Sequence, residues 1–250
     1  MADLSASPAA QPAPPAPTGH GMEPHGGDVG SLLNRLRAAV LGANDGIVSV
    51  AGLVVGVAGA TTERSTLLTA GVAGVVAGAL SMAGGEYVSV STQRDTERSL
   101  LAKERWELEH LPEEELAELA ELYEGKGLPP DLAREVAVAL TRHDALGAHA
   151  EAELGIDPEA LTSPWAAAGA SFVAFIGGAL LPLLAITLPP APARVATCVL
   201  AVVVALALTG FWGARLGHAP IRAAIVRNVA VGVAGMAVTY GVGTLAGTLW

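Results

Sequence analysis

Five stretches of the chain run for a helix length or more with almost no charge. Ala38 to Thr62 is interrupted only by Asp45, and Ser65 to Gly85 carries no charge before Glu86. Trp165 to Leu188, Val195 to Ala214 and Asn228 to Trp250 contain no charged residue at all. About 20 apolar residues in a helix cross the roughly 30 Å hydrocarbon layer of a bilayer, so the pattern predicts five membrane-spanning helices. Glycines recur four apart within or beside these spans: Gly42 and Gly46, Gly52 and Gly56, Gly74 and Gly78, Gly213 and Gly217, Gly243 and Gly247. Small residues at that spacing let helix backbones approach closely in lipid, which predicts a tight bundle or a dimer seam.

Between the second and third spans the pattern changes. Ser91 to Pro164 alternates charged and apolar positions with helical periodicity and predicts three helices. The first continues the second span, because neither Gly nor Pro intervenes between Glu86 and Leu111. The second starts at Pro112, where proline is tolerated and Glu113, Glu114 and Glu115 sit at the positive end of the helix dipole. The third opens at Pro129-Pro130-Asp131 and runs to Leu154, and Asp157-Pro158 breaks it. At the other extreme, the first thirty residues hold six prolines and no apolar period, which predicts a disordered tail. That tail lacks the basic and apolar regions of a secretory signal, and its His20, Met22 and His25 are weak metal-ligand candidates. The expected organisation is therefore a tail over 1–33, spans 1 and 2 over 34–90, an acidic segment over 91–163, and spans 3 to 5 over 164–250. The fold class is all-α membrane protein.

Composition sharpens this picture. Only 15% of the residues are charged, against about 25% in soluble domains, and 18 of the 24 acidic residues lie between Ser91 and Pro164. A net charge of −10 disfavours nucleic acid as a partner and favours cations. With the single Cys198 inside an apolar run, neither a disulfide framework nor a cysteine zinc site is available. Five spans put Arg35, Arg37, Arg94, Arg98, Arg215, Arg222 and Arg227 at one side, against Arg64 and Arg194 at the other. The positive-inside rule then places the N-terminus and the acidic segment in the cytoplasm.

Asp45 lies about ten residues into the first span, where a carboxylate costs about 2.5 to 3.5 kcal/mol unless it has a partner or water. It reads either as a functional group or as a structural one, pairing with Arg227 or capping a helix broken at Asn44-Asp45-Gly46. Met82 and Glu86, four apart, share a face of the second span, flanked by Ser81 and Ser89. A thioether with carboxylates suits a divalent transition metal better than Ca²⁺ or Mg²⁺. In the acidic segment Glu104 and Glu107 are three apart, and Glu115 and Glu118 repeat the spacing on the next helix. Four carboxylates that converge need a cation, whereas the same residues on separate surfaces make an ordinary solvated acidic face. His149, Glu151 and Glu153 are further candidates to complete such a site.

These residues also carry a resemblance. Leu41-Gly-Ala-Asn-Asp-Gly-Ile-Val-Ser49, Ala79-Leu-Ser-Met-Ala-Gly-Gly-Glu-Tyr-Val-Ser-Val90, Leu111-Pro-Glu-Glu-Glu-Leu116 and Glu153-Leu-Gly155 resemble the vacuolar iron transporter family, from Arg35 to Trp250. The resemblance implies a homodimer with five spans per chain, a cytoplasmic three-helix metal-binding domain inserted between spans 2 and 3, and export of Fe²⁺ or Mn²⁺ by proton antiport. It assigns Asp45 and Met82 to the translocation path, with Asn44 and Glu86 beside them. Glu104, Glu107, Glu115, Glu118 and Glu153 match the glutamates of the metal-binding domain. Plant members place a methionine and a glutamate where this chain has His149 and Ala150, so the resemblance does not fix ligand number or metal preference here. No prosthetic group is implied; Fe²⁺ or Mn²⁺ is the transported and regulatory ion.

Two other functions stand beside that one. Glu107 and His110 form one Glu-x-x-His pair, the unit of a di-iron carboxylate oxidase, though that chemistry uses two in a four-helix core. A passive metal channel or sensor would use the same residues without protons. The high Ala, Gly and Pro content suggests a GC-rich bacterium, and hence its plasma membrane.

Overall fold

The computed structural model describes residues 28–217 and 219–249, with side chains from 39 onward. The expected tail, including His20, Met22 and His25, lies outside the described residues apart from its last few positions. There the structure departs from the expectation: α1 (Asp28–Ala60) begins ahead of the boundary at 33, because no proline follows Pro24 in this stretch to stop the helix.

After α1 come α2 (Arg64–His110), α3 (Pro112–Gly125), α4 (Pro130–His149) with a π-helical turn (Ala150–Leu154), α5 (Pro164–Thr187), α6 (Arg194–Leu216) and α7 (Ile221–Leu249). Five segments are long and apolar enough to cross a membrane: Ala39–Ala60, Arg64–His110, Pro164–Thr187, Ala191–Leu216 and Ile221–Leu249. No strand occurs among the described residues.

In this bundle α1 is the central helix, packed by α2, α5, α6 and α7. Its Val50, Ala51, Val54 and Val55 are buried with Leu67 of α2, Phe175 and Ile186 of α5, and Leu206 of α6. The outward faces stay apolar and exposed, as at Leu80, Val173, Leu200, Val238 and Leu245, as expected of surfaces that meet lipid. Glycine allows the close approaches. A Cβ on Gly46 or Gly178 would meet backbone of the opposite helix, Phe175 and Ala43 respectively, and one on Gly243 would meet Gly56 of α1. Three of the five glycine pairs thus meet neighbouring backbone within the chain, Gly74 and Gly78 meet the Leu53 and Phe175 side chains, and Gly213 touches only the Val40 side chain. At the far end Arg194 donates to the carbonyls of Thr62 (2.6 Å) and Pro189 (3.2 Å), tying the two turns there together.

The 47-residue α2 leaves the bundle unbroken and carries Glu104 beyond it. Glu86 and Glu104, 18 positions apart, are therefore about 27 Å apart along one helix. A small second core of Leu119, Ala120 and Ala137 joins α3 to α4. α4 bends at Asp144, whose backbone is extended (φ −158°) and whose Oδ1 accepts from the Gly147 N–H at 3.0 Å. The helix restarts there as if capped. The π-turn then ends at Gly155, whose φ of 65° is a left-handed conformation open to glycine.

Candidate metal sites

Two groups of predicted residues come together, one in the bundle and one at the distal end of α2. In the bundle, Asp45, Ser49 and Leu53 of α1 face Gly74, Gly78, Ser81, Met82 and Glu86 of α2 across a cavity of about 520 Å³. Ser49 donates to Asp45 Oδ1 at 2.7 Å, four residues on, which orients the carboxylate. α1 runs without a break through Asn44-Asp45-Gly46, which removes the helix-cap reading of Asp45. Arg227 lines a different cavity, and no ion pair of Asp45 exists among the described residues. A hard carboxylate pair and a soft thioether therefore share one space without a protein cation.

Asn44 does not belong to this group. Consecutive residues of a helix point about 100° apart, so Asn44 turns to the α6 and α7 side and lines a separate cavity with Thr209, Arg227 and Asn228. Its Oδ1 is buried there without a hydrogen-bond partner.

At the distal site Glu104 of α2, Glu115 of α3 and His149 of α4 converge, with one ligand atom from each within 4.8 Å of the others. All three are buried, His149 completely. His149 Nδ1 lies 2.9 Å from Glu104 Oε1 and 3.5 Å from Glu115 Oε2. The shorter approach is out of line for a hydrogen bond, leaving Nδ1, Nε2 and Glu104 Oε1 buried with no partner. Buried polar groups of folded proteins are nearly always satisfied, so three orphans in one cluster indicate a missing partner.

Electrostatics say the same. Burial, reinforced by the negative charges of Glu153, Glu115 and Glu107, raises the Glu104 carboxyl to about 7. Burial and the charges of Glu118, Glu107 and Glu153 raise Glu115, and burial lowers His149. Without a cation the cluster resists charging, and a dication would reverse that resistance.

The other expected ligands stand further out. Glu107 is paired to Lys103 at 2.6 Å on the rim. Glu118 and Glu153 are exposed but near enough for their charges to act on the buried trio. Glu151 faces a different cavity, beside His143, Asp144, Asp157 and Glu159, and is not brought to the cluster. Two positions after His149 along the π-turn, it points elsewhere. The cluster's best-buried member, His149, was the less obvious one in sequence, because nothing local marks the bend at Asp144 that turns it inward. His110 is not part of the trio either: it stacks on Trp106 with ring centroids 4.5 Å apart, and its Nδ1 lies 2.8 Å from the Trp106 carbonyl.

A five-span helical bundle with a carboxylate-thioether cavity and a carboxylate-imidazole cluster on one continuous helix defines a class of membrane protein built to handle cations. The chain belongs to the VIT family, whose profile matches residues 36–244. It is 45% identical over 215 residues to a "Vacuolar iron transporter" of Acanthamoeba castellanii, covering 86% of this chain and 79% of that protein. It is 40% identical over 208 residues to "Vacuolar iron transporter homolog 1" of Oryza sativa subsp. japonica (83% and 72% covered). Identity to "Vacuolar iron transporter homolog 2" of Arabidopsis thaliana is 36% over 213 residues (85% and 84%). These relatives come from an amoeba and two plants, so the bacterial origin expected from composition finds no support among them.

Proposed function

We propose that this chain transports a divalent metal, Fe²⁺ or Mn²⁺, out of the cytoplasm in exchange for protons, as a homodimer. The observation that carries the reading is the shared cavity of Asp45, Met82 and Glu86, seated in the bundle with no protein cation to neutralise it. The names of the relatives, iron transporters, support the substrate class.

In this mechanism the Glu104–Glu115–His149 cluster collects the ion on the cytoplasmic side, the side assigned by the arginine bias. Imidazole and carboxylate select transition metals over Mg²⁺ and Ca²⁺. The ion then passes to Asp45, Met82 and Glu86. A proton arriving from the outer side neutralises Asp45, and a protonated carboxyl is a poor ligand, so the ion leaves outward. Ser81 and Gly85 on the cavity wall are exposed within the single chain, and a second copy would close that side. The plasma membrane of a bacterium is the host membrane proposed on composition.

Uptake of Fe²⁺ and of Mn²⁺ into proteoliposomes under a pH gradient tests this, comparing the native chain with Asp45→Ala. Loss of gradient-driven uptake in the variant is expected, and undiminished uptake rejects the mechanism. Metal flux indifferent to the gradient would instead favour a passive channel.

A further inference from the structure

The cavity that takes Asn44 is the second feature of the bundle that calls for a ligand. It measures about 440 Å³ and lies where α1, α6 and α7 meet. Asn44, Thr209, Arg227 and Asn228 supply its polar wall, and Leu41 and Leu216 its apolar rim. Its depth is defined by the chain. Asn44 is seven residues past Arg37, the last charge before the first apolar run, or about 10 Å along the helix axis, and so forms the deeper end of the cavity. Leu216 ends α6 and Arg227 stands six residues into α7, so all three helices contribute the same end of their spans. Leu216 and Arg227 thus stand at the depth where lipid headgroups meet hydrocarbon, with Asn44 below them.

Charge and polarity select the occupant. No acidic residue follows Glu159, and among the described residues no carboxylate pairs with Arg227. Arg215 and Arg222, on either side of the α6–α7 turn, add positive charge at the same end. Arg227 and Asn228 offer donors to a phosphate, whereas the buried Oδ1 of Asn44 has no donor and suits a hydroxyl group. Leu41 and Leu216 are both about half exposed and continue the cavity onto the apolar outer surface, where acyl chains lie.

We infer that this cavity binds the headgroup of an anionic phospholipid, its phosphate on Arg227 and Asn228 and a headgroup hydroxyl on Asn44. Basic pockets between membrane helices recognise such headgroups by the same chemistry. The site is separated from the Asp45 cavity by the width of α1, and its occupancy does not depend on metal.

Native mass spectrometry of the delipidated protein in mixed micelles of phosphatidylglycerol and phosphatidylcholine, in equal amounts, tests the assignment. One phosphatidylglycerol per chain should be retained in preference to phosphatidylcholine. Arg227→Gln and the charge-preserving, cavity-filling Asn228→Leu should each lower that occupancy at least fivefold. Arg222→Gln, which removes an exposed charge outside the cavity wall, should change it less than twofold. Equal retention of the two lipids overturns the proposal, as does an equal loss in Arg222→Gln, which would signal diffuse surface attraction. Displacement by millimolar inorganic phosphate would make the site one for free anions. Dissociation of an oligomer by Arg227→Gln with lipid retention intact would make it a contact with a second copy. Either outcome overturns the lipid assignment, and Asn228→Leu decides the matter if Arg227→Gln does not fold.

Discussion

His149 Nδ1 stands 2.9 Å from Glu104 Oε1, fully buried, with neither atom in a hydrogen bond. The two residues come from helices separated by all of α3, and a bend and a π-turn at the end of α4 bring them together. Such a contact costs free energy in the metal-free protein, because burial disfavours charge on both groups. That cost makes the cluster responsive to pH and to metal.

Metal binding at the cluster should follow the protonation of Glu104. Its carboxyl is raised from 4.5 to about 7 by burial and neighbouring carboxylates. Below about pH 7 a proton competes with the metal, so apparent affinity for Mn²⁺ should fall roughly tenfold per pH unit and level off above pH 7. His149 is shifted below its ordinary 6.5 and begins to compete only at lower pH. Competition titrations of the full chain in detergent between pH 5.5 and 8 check this, with Glu104→Gln expected to flatten the profile.

Stability without metal should run the other way. A carboxyl raised in the folded state gives stability that is complete below its unfolded value near 4.5 and is lost as pH rises through about 7. His149, lowered on folding, contributes above 6.5 and loses that contribution as pH falls through its folded value. Glu115 is raised as well, so two carboxyls oppose the one imidazole between pH 4.5 and 7, and the metal-free melting temperature of the α3–α4 region should drop as pH rises through that window. Saturating Mn²⁺ should abolish the drop, which hydrogen exchange on the Leu119 and Ala137 amides would register.

Replacing His149 by Met keeps a buried side chain of similar size but substitutes a soft thioether for the imidazole. Affinity for both ions should fall, and more for the harder Mn²⁺ than for Fe²⁺, so the Fe²⁺ to Mn²⁺ ratio rises. His149→Ala should reduce binding of both by tenfold or more. An unchanged ratio in the methionine variant would mean that the imidazole does not touch the ion.

What could be read from the chain beforehand divides along physical lines. Helices were legible because charge-free runs and prolines mark them locally: Pro112 and Pro130 open α3 and α4 as expected. The joint presence of Asp45, Met82 and Glu86 in one cavity was legible because two antiparallel helices allow few registers. The separation of Asn44 from Asp45 required knowing which face of α1 meets which neighbour, a tertiary fact. The same holds for Glu151 and His149, whose facing depends on the bend at Asp144 and the π-turn and not on a helical period.

Transport should separate the two neighbours. Asp45→Asn keeps size and the contact with Ser49 but removes the charge, and should abolish gradient-driven metal uptake in proteoliposomes. Asn44→Ala, on the far side of α1, should retain uptake within about threefold, a difference of less than 1 kcal/mol. Equal loss in both variants would place Asn44 on the path after all.

One methyl group, added at adjacent positions of α5, should have opposite effects. At Gly178 a Cβ would meet the backbone of Ala43, which has no rotamer with which to yield, and α5 would have to move away from α1. Overpacking of this kind costs about 1–3 kcal/mol, or several degrees of melting temperature for a chain of this size. At Gly177 a Cβ meets nothing within 4 Å, and alanine is the better helix former by about 1 kcal/mol. Gly178→Ala should therefore melt several degrees below the native chain in detergent, while Gly177→Ala melts level with it or slightly above. The comparison isolates packing from propensity, since sequence, depth and chemistry of the change are otherwise the same. If Gly178→Ala melts with the native protein, the close backbone seam between α1 and α5 is not a source of the bundle's stability.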